Sequence, residues 1–248
     1  MRAHTLCFSA LAVLALGGLA TTLPAQSTSS YPTYVVDAQI PIVSTDGFRN
    51  PDGIAVALDG SIYVADTGNN RVLHFDTSGN QSTVDFSALS PALGKPTGVA
   101  LDGNGNLYVT DIATSRLIKL APGSKPIAIM KYPTVNQPLA VASDSLGNLA
   151  VVNLGESAIT ARRAGGLPFV FNTGSTALIA PESVAFDKNG ILYVADVGNA
   201  TTPPAVYSFP KFGGTGTNLT GFQGVYSQLD GTGQQLSTFP TSPPPRTV

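Results

Sequence analysis

Residues 51–66 read PDGIAVALDGSIYVAD, and the same phrase returns three more times along the chain. The other copies are PTGVALDGNGNLYVTD at 96–111, PLAVASDSLGNLAVVN at 138–153 and PESVAFDKNGILYVAD at 181–196. From Pro51 to Pro96, Pro138 and Pro181 the steps are 45, 42 and 43 residues. A period of about 40–50 residues made of short strands is typical of propeller blades rather than of a helical solenoid.

The second copy predicts the structure of one blade. Thr97–Leu101, Leu107–Thr110, Arg116–Leu120 and Pro126–Met130 are short apolar or alternating runs, and Asp, Asn and Gly separate the first two. Such runs joined by tight turns predict four antiparallel strands in a single sheet. In the first copy Asp59 precedes Tyr63 by four residues, whereas six separate the equivalent pair of the second copy, which predicts a first hairpin two residues shorter.

The blade count depends on the two ends of the chain. Four copies are clear, and a degenerate copy begins at Gly224–Tyr226, with a turn at Asp230–Gly233. Upstream, Tyr34–Val36 and Ile40–Val43 have the composition of strands. The sequence therefore predicts an all-β β-propeller of about five four-stranded blades over residues 26–240, or an incomplete six-bladed ring, and it leaves open whether a second copy completes it. Residues 241–248 are expected to form a proline-rich tail.

The first 25 residues have the pattern of a secretory signal peptide. Arg2 and His4 precede an apolar run from Leu6 to Ala20, and Leu23-Pro24-Ala25 offers a small residue for cleavage. An uncleaved membrane anchor is the alternative, although the run is shorter than the roughly 20 residues that a spanning helix needs. We therefore expect a secreted or periplasmic protein that has no disulfide, because Cys7 is the only cysteine.

Composition argues against a nucleic-acid partner. Charged residues make up 11% of the chain, against about 25% in typical globular domains. Removal of Arg2 with the signal peptide leaves 12 Lys and Arg against 15 Asp and Glu, with no basic patch. We expect no nucleic acid as a partner and no membrane contact beyond the signal peptide.

The repeats resemble the NHL repeat family. The phrase P-x-G-[IV]-A…[IL]-Y-V-[AT]-D-x-x-N-x-R covers Pro51 to Arg71, and a close variant covers Pro96 to Arg116. The third copy has Asn153 and Ala158 in place of the aspartate and the arginine, and the fourth keeps Asp196 and Asn199 but has Thr201-Thr202-Pro203-Pro204 inserted. The resemblance covers residues 50–210 and implies a propeller fold. It does not imply one activity, because the family includes binding scaffolds, sensor domains and lyases.

Two charge pairs recur within the repeats. Asp66 and Arg71 are five residues apart, as are Asp111 and Arg116, so each pair is expected to face across a turn. They could clamp a substrate, but their presence in two blades favours pairs that stabilise a blade, each worth about 0.2–1 kcal/mol on an exposed sheet surface.

Few residues support catalysis. His74 is the only histidine after the signal peptide. It could act as a base or a metal ligand, but it is expected to be a half-exposed strand residue. Lyases of the family this chain resembles use several histidines around zinc or depend on histidine, and a single histidine cannot build a catalytic zinc site. Residues 102–106 match the start of a calcium loop, but Leu107 and Ala113 stand where the loop needs Gly and Glu. No Gly-x-Ser-x-Gly nucleophile motif is present.

One enzyme class stays open through the resemblance to gluconolactonase-like propellers. These hold a divalent cation with Glu, Asn and Asp side chains, which implies Glu182, Asn153 and Asn199 as candidate ligands for calcium or magnesium. The alternative is that all three are ordinary polar loop residues.

The leading interpretation is an exported, non-catalytic scaffold that needs no cofactor and binds a protein, peptide or glycan. The expected binding surface carries the loops before each repeat proline and the second turn of each repeat. Its candidate residues are Asn50, Asn153, Glu156, Glu182 and Asn199. A metal-dependent lactonase or lyase is the alternative function.

Overall fold

The computed structural model describes residues 47–210 and 213–219, together with the backbone of 228–229 and 235–236. Several sequence predictions lie outside these residues: the signal peptide at 1–25, the strands at 34–36 and 40–43, the degenerate copy that begins at 224 and the tail at 241–248.

Each of the four repeats forms one four-stranded antiparallel sheet, so the all-β propeller prediction is confirmed. Blade 1 contains β1 (Pro51–Val56), β2 (Ile62–Asp66), β3 (Arg71–Phe75) and β4 (Gln81–Thr83), and blade 2 contains β5 (Pro96–Leu101), β6 (Leu107–Asp111), β7 (Arg116–Leu120) and β8 (Ile127–Lys131). Blade 3 contains β9 (Pro138–Ser143), β10 (Leu149–Asn153), β11 (Ala158–Arg162) and β12 (Pro168–Val170). Blade 4 contains β13 (Pro181–Phe186), β14 (Leu192–Asp196), β15 (Ala205–Phe209) and β16 (Thr217–Asn218).

Within each sheet the strands follow chain order, as hairpin connections require. The first strands of successive blades pack against one another in chain order and form the inner edge of the blades: β1, β5, β9 and β13. A separate pair, β17 (Gln228–Leu229) and β18 (Gln235–Leu236), is antiparallel. The described residues therefore hold four blades where the sequence predicted about five. No helix among them is long and apolar enough to span a membrane.

Aspartates form the corners of the first hairpins in blades 2, 3 and 4. Oδ1 of Asp102 accepts hydrogen bonds from the backbone N–H groups of Asn104 and Asn106, at 2.9 and 3.0 Å. Asp144 and Asp187 repeat this arrangement in blades 3 and 4. The carboxylate satisfies turn amides that have no partner within the sheet, which explains why Asp recurs there.

The prediction of a shorter first hairpin is wrong. Ala57 N donates to Ser61 O and Gly60 N donates to Ala57 O, which is the pattern that Asp102 makes with Asn106 and Gly105 in blade 2. Ala57 therefore occupies the corner position, and the two hairpins have the same length. Asp59 lies two residues further into the turn, where Oδ1 accepts from both the N–H and the hydroxyl of Ser61. Asp59 and Asp102 are therefore not structurally equivalent, although both precede the tyrosine of their repeat.

Neighbouring blades pack through two different faces. The trailing face of a blade, which meets the next blade, carries Ala55, Tyr63, Ala65 and Val72 in blade 1. The leading face, which meets the previous blade, carries Val99, Leu107, Val109 and Ile118 in blade 2, and the two sets form one core cluster. The contacts between blades 2 and 3 and between blades 3 and 4 repeat this arrangement. Burial of each large aliphatic side chain contributes about 1.5–3 kcal/mol.

Glycines allow the inner strands of successive blades to approach closely. A Cβ on Gly98 would lie 2.9 Å from both Ala140 Cα and Val141 N, and a Cβ on Gly53 would lie 2.9 Å from Val99 N. Both distances are shorter than real side chains show, so the glycine of the P-x-G phrase is needed for blade packing in blades 1 and 2. Blade 3 has Ala140 at the same position.

Candidate functional site

A buried carboxylate joins two loops on one face of blade 2. Asp111, at the end of β6, is fully buried. Its Oδ1 accepts from Lys95 N at 2.9 Å and its Oδ2 from Gly94 N at 3.0 Å, so it binds the loop that precedes Pro96. Oδ2 also accepts from the hydroxyl of Thr114 in the turn after β6, at 2.7 Å. We call this arrangement the carboxylate clamp.

The clamp recurs at equivalent positions in the other three blades, with the amide of Asn153 in place of the carboxylate in blade 3. The N–H groups that it binds belong to one or both of the two residues before the repeat proline. Arg49 N donates to Asp66 at 2.7 Å, Asn136 N to Asn153 at 3.2 Å, and Ile179 N and Ala180 N to Asp196 at 2.7 and 2.9 Å. The clamp therefore brings together the loops before each proline (the lead-in loops) and the second turns. We call this surface the loop face. It carries the two sets of loops that the sequence predicted to share one surface.

An arginine extends the clamp in the first two blades. Arg71 Nε lies 2.7 Å from Asp66 Oδ2, and Arg116 Nη2 lies 3.0 Å from Asp111 Oδ2. The same guanidinium groups donate to the carbonyls of Gly47 and Ala92, at 3.0 and 2.7 Å. Both carbonyls lie four residues before the repeat proline, so each arginine fixes the far end of its lead-in loop.

Blade 3 makes the same connection without charge. The amide of Asn153 accepts from the lead-in loop through Oδ1, and its Nδ2 donates to Thr160 Oγ1 at 2.8 Å. The Thr160 hydroxyl then donates to the carbonyl of Thr134 at 2.9 Å, again four residues before the proline. Asn and Thr thus replace Asp and Arg as a neutral relay, which explains why both charges are missing from the third repeat.

In blade 4 all the described hydrogen bonds to the clamp carboxylate, Asp196, come from backbone N–H groups. Asp196 Oδ1 accepts from Gly198 N at 2.8 Å in addition to the lead-in amides. Asn199 organises the insertion that follows, because its Oδ1 accepts from the N–H groups of Thr201 and Thr202 and from the Thr201 hydroxyl.

The clamp carboxylates of blades 1 and 2, Asp66 and Asp111, are held in the ionised form. Burial raises the pKa of Asp111, but the hydrogen bonds from Lys95, Gly94, Thr114 and Arg116 outweigh it and leave the pKa below its ordinary value of 3.8. For Asp66, burial likewise raises the pKa, and donors from Arg49, Asn69 and Arg71 lower it overall. Hydrogen bonds to the charged form account for the net direction in both cases.

The predicted binding residues fall into two groups. Asn50 and Glu156 are exposed on the loop face, and Asn50 has the left-handed φ of +46° that asparagine tolerates better than most residues. Glu182 is half-buried near the start of β13. Asn153 is fully buried, and Asn199 is exposed but its side-chain oxygen holds the turn. The structure therefore presents Asn50, Glu156 and Glu182 to solvent and gives Asn153 and Asn199 structural partners.

Exposed apolar residues on the loop face were missed by the sequence reasoning. Tyr132 begins the lead-in loop of blade 3, where its N–H donates to Ser115 O in the second turn of blade 2, and its side chain is 68% exposed. Leu154 is exposed in the second turn of blade 3. A comparison of lead-in loops could have found Tyr132, because no other repeat has an aromatic residue six positions before its proline.

His74 lies away from the loop face. Its ring packs on Tyr63 with centroids 4.6 Å apart, and its Nδ1 lies 3.4 Å from the Ser82 hydroxyl. It lines an open groove of about 630 Å³ between blades 1 and 2, together with Asp85 and Lys125. Its half-buried position between buried Leu73 and Phe75 agrees with the alternation predicted for β3.

Two of the three proposed metal ligands, Asn153 and Asn199, hold other groups in this arrangement. The side-chain oxygens of Asn153 and Asn199 already accept one and three hydrogen bonds, respectively. Within the described residues, no group of three or more His, Cys, Asp or Glu side chains is placed to hold a metal ion. Calcium or magnesium bound by Glu182, Asn153 and Asn199 stays a prediction, and the cation would share the amide oxygens with these hydrogen bonds.

We predict that Arg116→Ala lowers the melting temperature through a loss of about 3–5 kcal/mol, because it leaves the buried Asp111 carboxylate without its counter-charge. Lys95→Ala, an exposed change in the same loop, should stay within about 0.5 kcal/mol of wild type. Urea unfolding followed by circular dichroism measures both. Equal stability of Arg116→Ala and wild type would contradict a structural role for the pair.

The clamp also predicts a pH dependence. Because the folded-state pKa of Asp111 is lowered, its stabilisation is complete above the ordinary value of 3.8 and is lost as pH falls through the lowered pKa. Asp111→Asn should therefore be less stable than wild type at pH 7, and the difference should shrink in the range below about pH 4. Unfolding free energies measured from pH 7 to pH 3 test this, and a difference that is constant or grows on acidification would contradict it.

Comparisons with known proteins agree with this geometry. The NHL repeat profile matches residues 48–75, which contain β1 to β3 and the first clamp. A search of curated proteins found no match. Among solved structures, a catalytically inactive virginiamycin B lyase from Staphylococcus aureus with quinupristin is 15% identical, with a TM-score of 0.56 over 68% of this chain and 55% of that one.

Two further structures show the same likeness. A chain of a nidogen/laminin complex is 20% identical, with a TM-score of 0.54 over 64% of this chain and 60% of that one. A gluconolactonase from Xanthomonas campestris is 18% identical, with a TM-score of 0.56 over 68% and 61%. This chain thus spans less than two thirds of each similar structure. Residues 48–75 are an NHL repeat, and the fold is that of the β-propellers.

Proposed function

We propose that this protein is an exported, non-catalytic scaffold whose loop face binds a protein, peptide or glycan. The observation that carries the proposal is the carboxylate clamp. It holds the backbone of four lead-in loops through buried side chains while other side chains of the same loops point to solvent. A preorganised surface loses little conformational entropy on binding, which favours affinity.

The exposed side chains of the loop face provide mixed chemistry. They include charged, amide, aromatic and aliphatic groups: Arg49, Asn50, Lys95, Tyr132, Leu154 and Glu156. Arginine and tyrosine are enriched among residues that dominate binding energy. The basic residues Arg49 and Lys95 belong to blades 1 and 2 and Glu156 belongs to blade 3, so the surface favours a partner with an uneven charge distribution.

Two further observations support export and partner binding. The first 25 residues have the pattern of a signal peptide, which would place the blades outside the cytoplasm. The similar chain of the nidogen/laminin complex comes from a protein–protein assembly, so the same fold does serve protein recognition elsewhere. The second point is an analogy of fold and supports the class of function alone.

We predict that Tyr132→Ala weakens binding to the peptide or glycan probe selected from arrays by about tenfold or more, as truncation of an exposed aromatic anchor does. Leu146→Ala is the matched control, because Leu146 is 62% exposed in the first turn of blade 3, away from the loop face. Binding to the selected probe is measured by titration. Equal affinity of Tyr132→Ala and wild type, or equal loss in the control, would contradict binding at this face.

A metal-dependent lactonase or lyase is the second candidate, and one observation favours it. Asp52 and Glu182 each follow the repeat proline, in blades 1 and 4, so two carboxylates occupy equivalent inner-strand positions. A screen of lactones with calcium or magnesium, repeated with EDTA, separates the two functions. The scaffold proposal expects no metal-dependent turnover, whereas turnover that EDTA and Glu182→Gln both abolish would replace it with the enzyme.

A further inference from the structure

The two ends of the blade series expose complementary faces. In blades 2, 3 and 4 the first apolar residue of the leading face is buried against the previous blade, with Val99, Val141 and Val184 at 6%, 7% and 9% exposure. Ile54 holds the equivalent position in blade 1, because it pairs with Val64 as Val99 pairs with Val109, yet it is 65% exposed. Val56, two residues further along β1, is 64% exposed.

The outer part of the same face is covered. Val64, Leu73 and Phe75 are buried in a small cluster, and the ring of Phe48 lies 5.9 Å from that of Phe75. The uncovered part is therefore the inner strand β1, which is the element that packs on the previous blade in the three complete contacts.

Blade 4 exposes the opposite half of the contact. Its trailing face carries Ser183, Ala185, Tyr193 and Ala195. Ala185 is exposed and Ala195 is half-buried. Their equivalents in blades 2 and 3 are buried: Ala100 and Thr110, and Ala142 and Val152. Small residues on this face accept the larger side chains of a leading face in each complete contact. The pairs are Gly53 and Ala55 with Val99, Gly98 and Ala100 with Val141, and Ala140 and Ala142 with Val184.

We propose that the leading face of blade 1 docks on the trailing face of blade 4 of a second copy of this chain. Ile54 and Val56 of the other copy would pack on Ser183 and Ala185. The model for this contact is the packing of Val141 on Gly98 and Ala100. The occupant is a second copy because the chain itself carries both halves of a contact that it already makes three times. Two such head-to-tail contacts form a closed dimer when a two-fold axis relates the copies, because blade 1 of each copy then docks on blade 4 of the other.

The shape of the two exposed faces supports this partner. A second copy buries the exposed β1 side chains with a face that already has the form of a blade, whereas another globular partner would need a surface shaped like a blade.

The first test measures mass. We expect the purified full chain to be a dimer by light scattering coupled to size exclusion, and Ile54→Glu to weaken the dimer by about tenfold or more, because it places a charge in the contact. Leu167→Glu is the control, since Leu167 is also an exposed aliphatic residue but lies in the turn before β12, at the outer edge of blade 3. A monomer at every concentration, or equal dissociation by both variants, would overturn the proposal.

The second test identifies the faces. Gly98 and Gly53 approach Val141 and Val99 of the next blade, which predicts that Ser183 approaches Ile54 of the second copy. In a Cys7→Ser background, which leaves no other cysteine, Ile54→Cys and Ser183→Cys chains are mixed and oxidised. We expect a covalent dimer from the mixture and much less from either variant alone. Covalent dimer that forms equally from one variant alone, or a double variant that closes within a single chain, would contradict head-to-tail docking.

Discussion

The structure depends on a polar side chain that is buried at the end of the second strand of each repeat, a carboxylate in blades 1, 2 and 4 and an amide in blade 3. A charged group in that position is costly unless donors surround it, and here backbone N–H groups of the lead-in loop supply them. The interaction joins two segments that lie 16 or 17 residues apart in sequence. It therefore determines where each blade begins relative to its own second turn, and it fixes the loops on which the proposed binding surface is built.

The variation among the four clamps shows what is essential to them. Arginine completes the clamp in blades 1 and 2, a neutral Asn and Thr relay replaces it in blade 3, and blade 4 retains the aspartate with backbone donors. All four bind the N–H two residues before the proline, whereas the group that reaches the carbonyl four residues before it differs. Fixing the start of the blade is thus the common requirement. The charge pair is one of several ways to connect the clamp to the far end of the lead-in loop.

The repeat period and the alternation of apolar residues were enough to predict the blades, and the strands of blade 2 agree with prediction to within a residue or two. The sequence pattern alone did not predict which residues of different repeats occupy the same position in a turn. Asp59 has the same residue type as Asp102 but a different place in its turn. Asn153 stays a predicted binding residue, and the structure adds that Thr160 and the lead-in loop use its amide. Tyr132 was missed because it interrupts the repeat, and only the structure shows that it is exposed beside a neighbouring turn.

Amide hydrogen exchange of the lead-in loops tests the clamp most directly. We predict slow exchange for the amides of Gly94, Lys95, Ile179 and Ala180, which donate to Asp111 and Asp196. In Asp111→Ala, protection should be lost at Gly94 and Lys95 and kept at Ile179 and Ala180. Rapid exchange of all four amides in the wild-type protein, or unchanged protection at Gly94 and Lys95 in the variant, would contradict it.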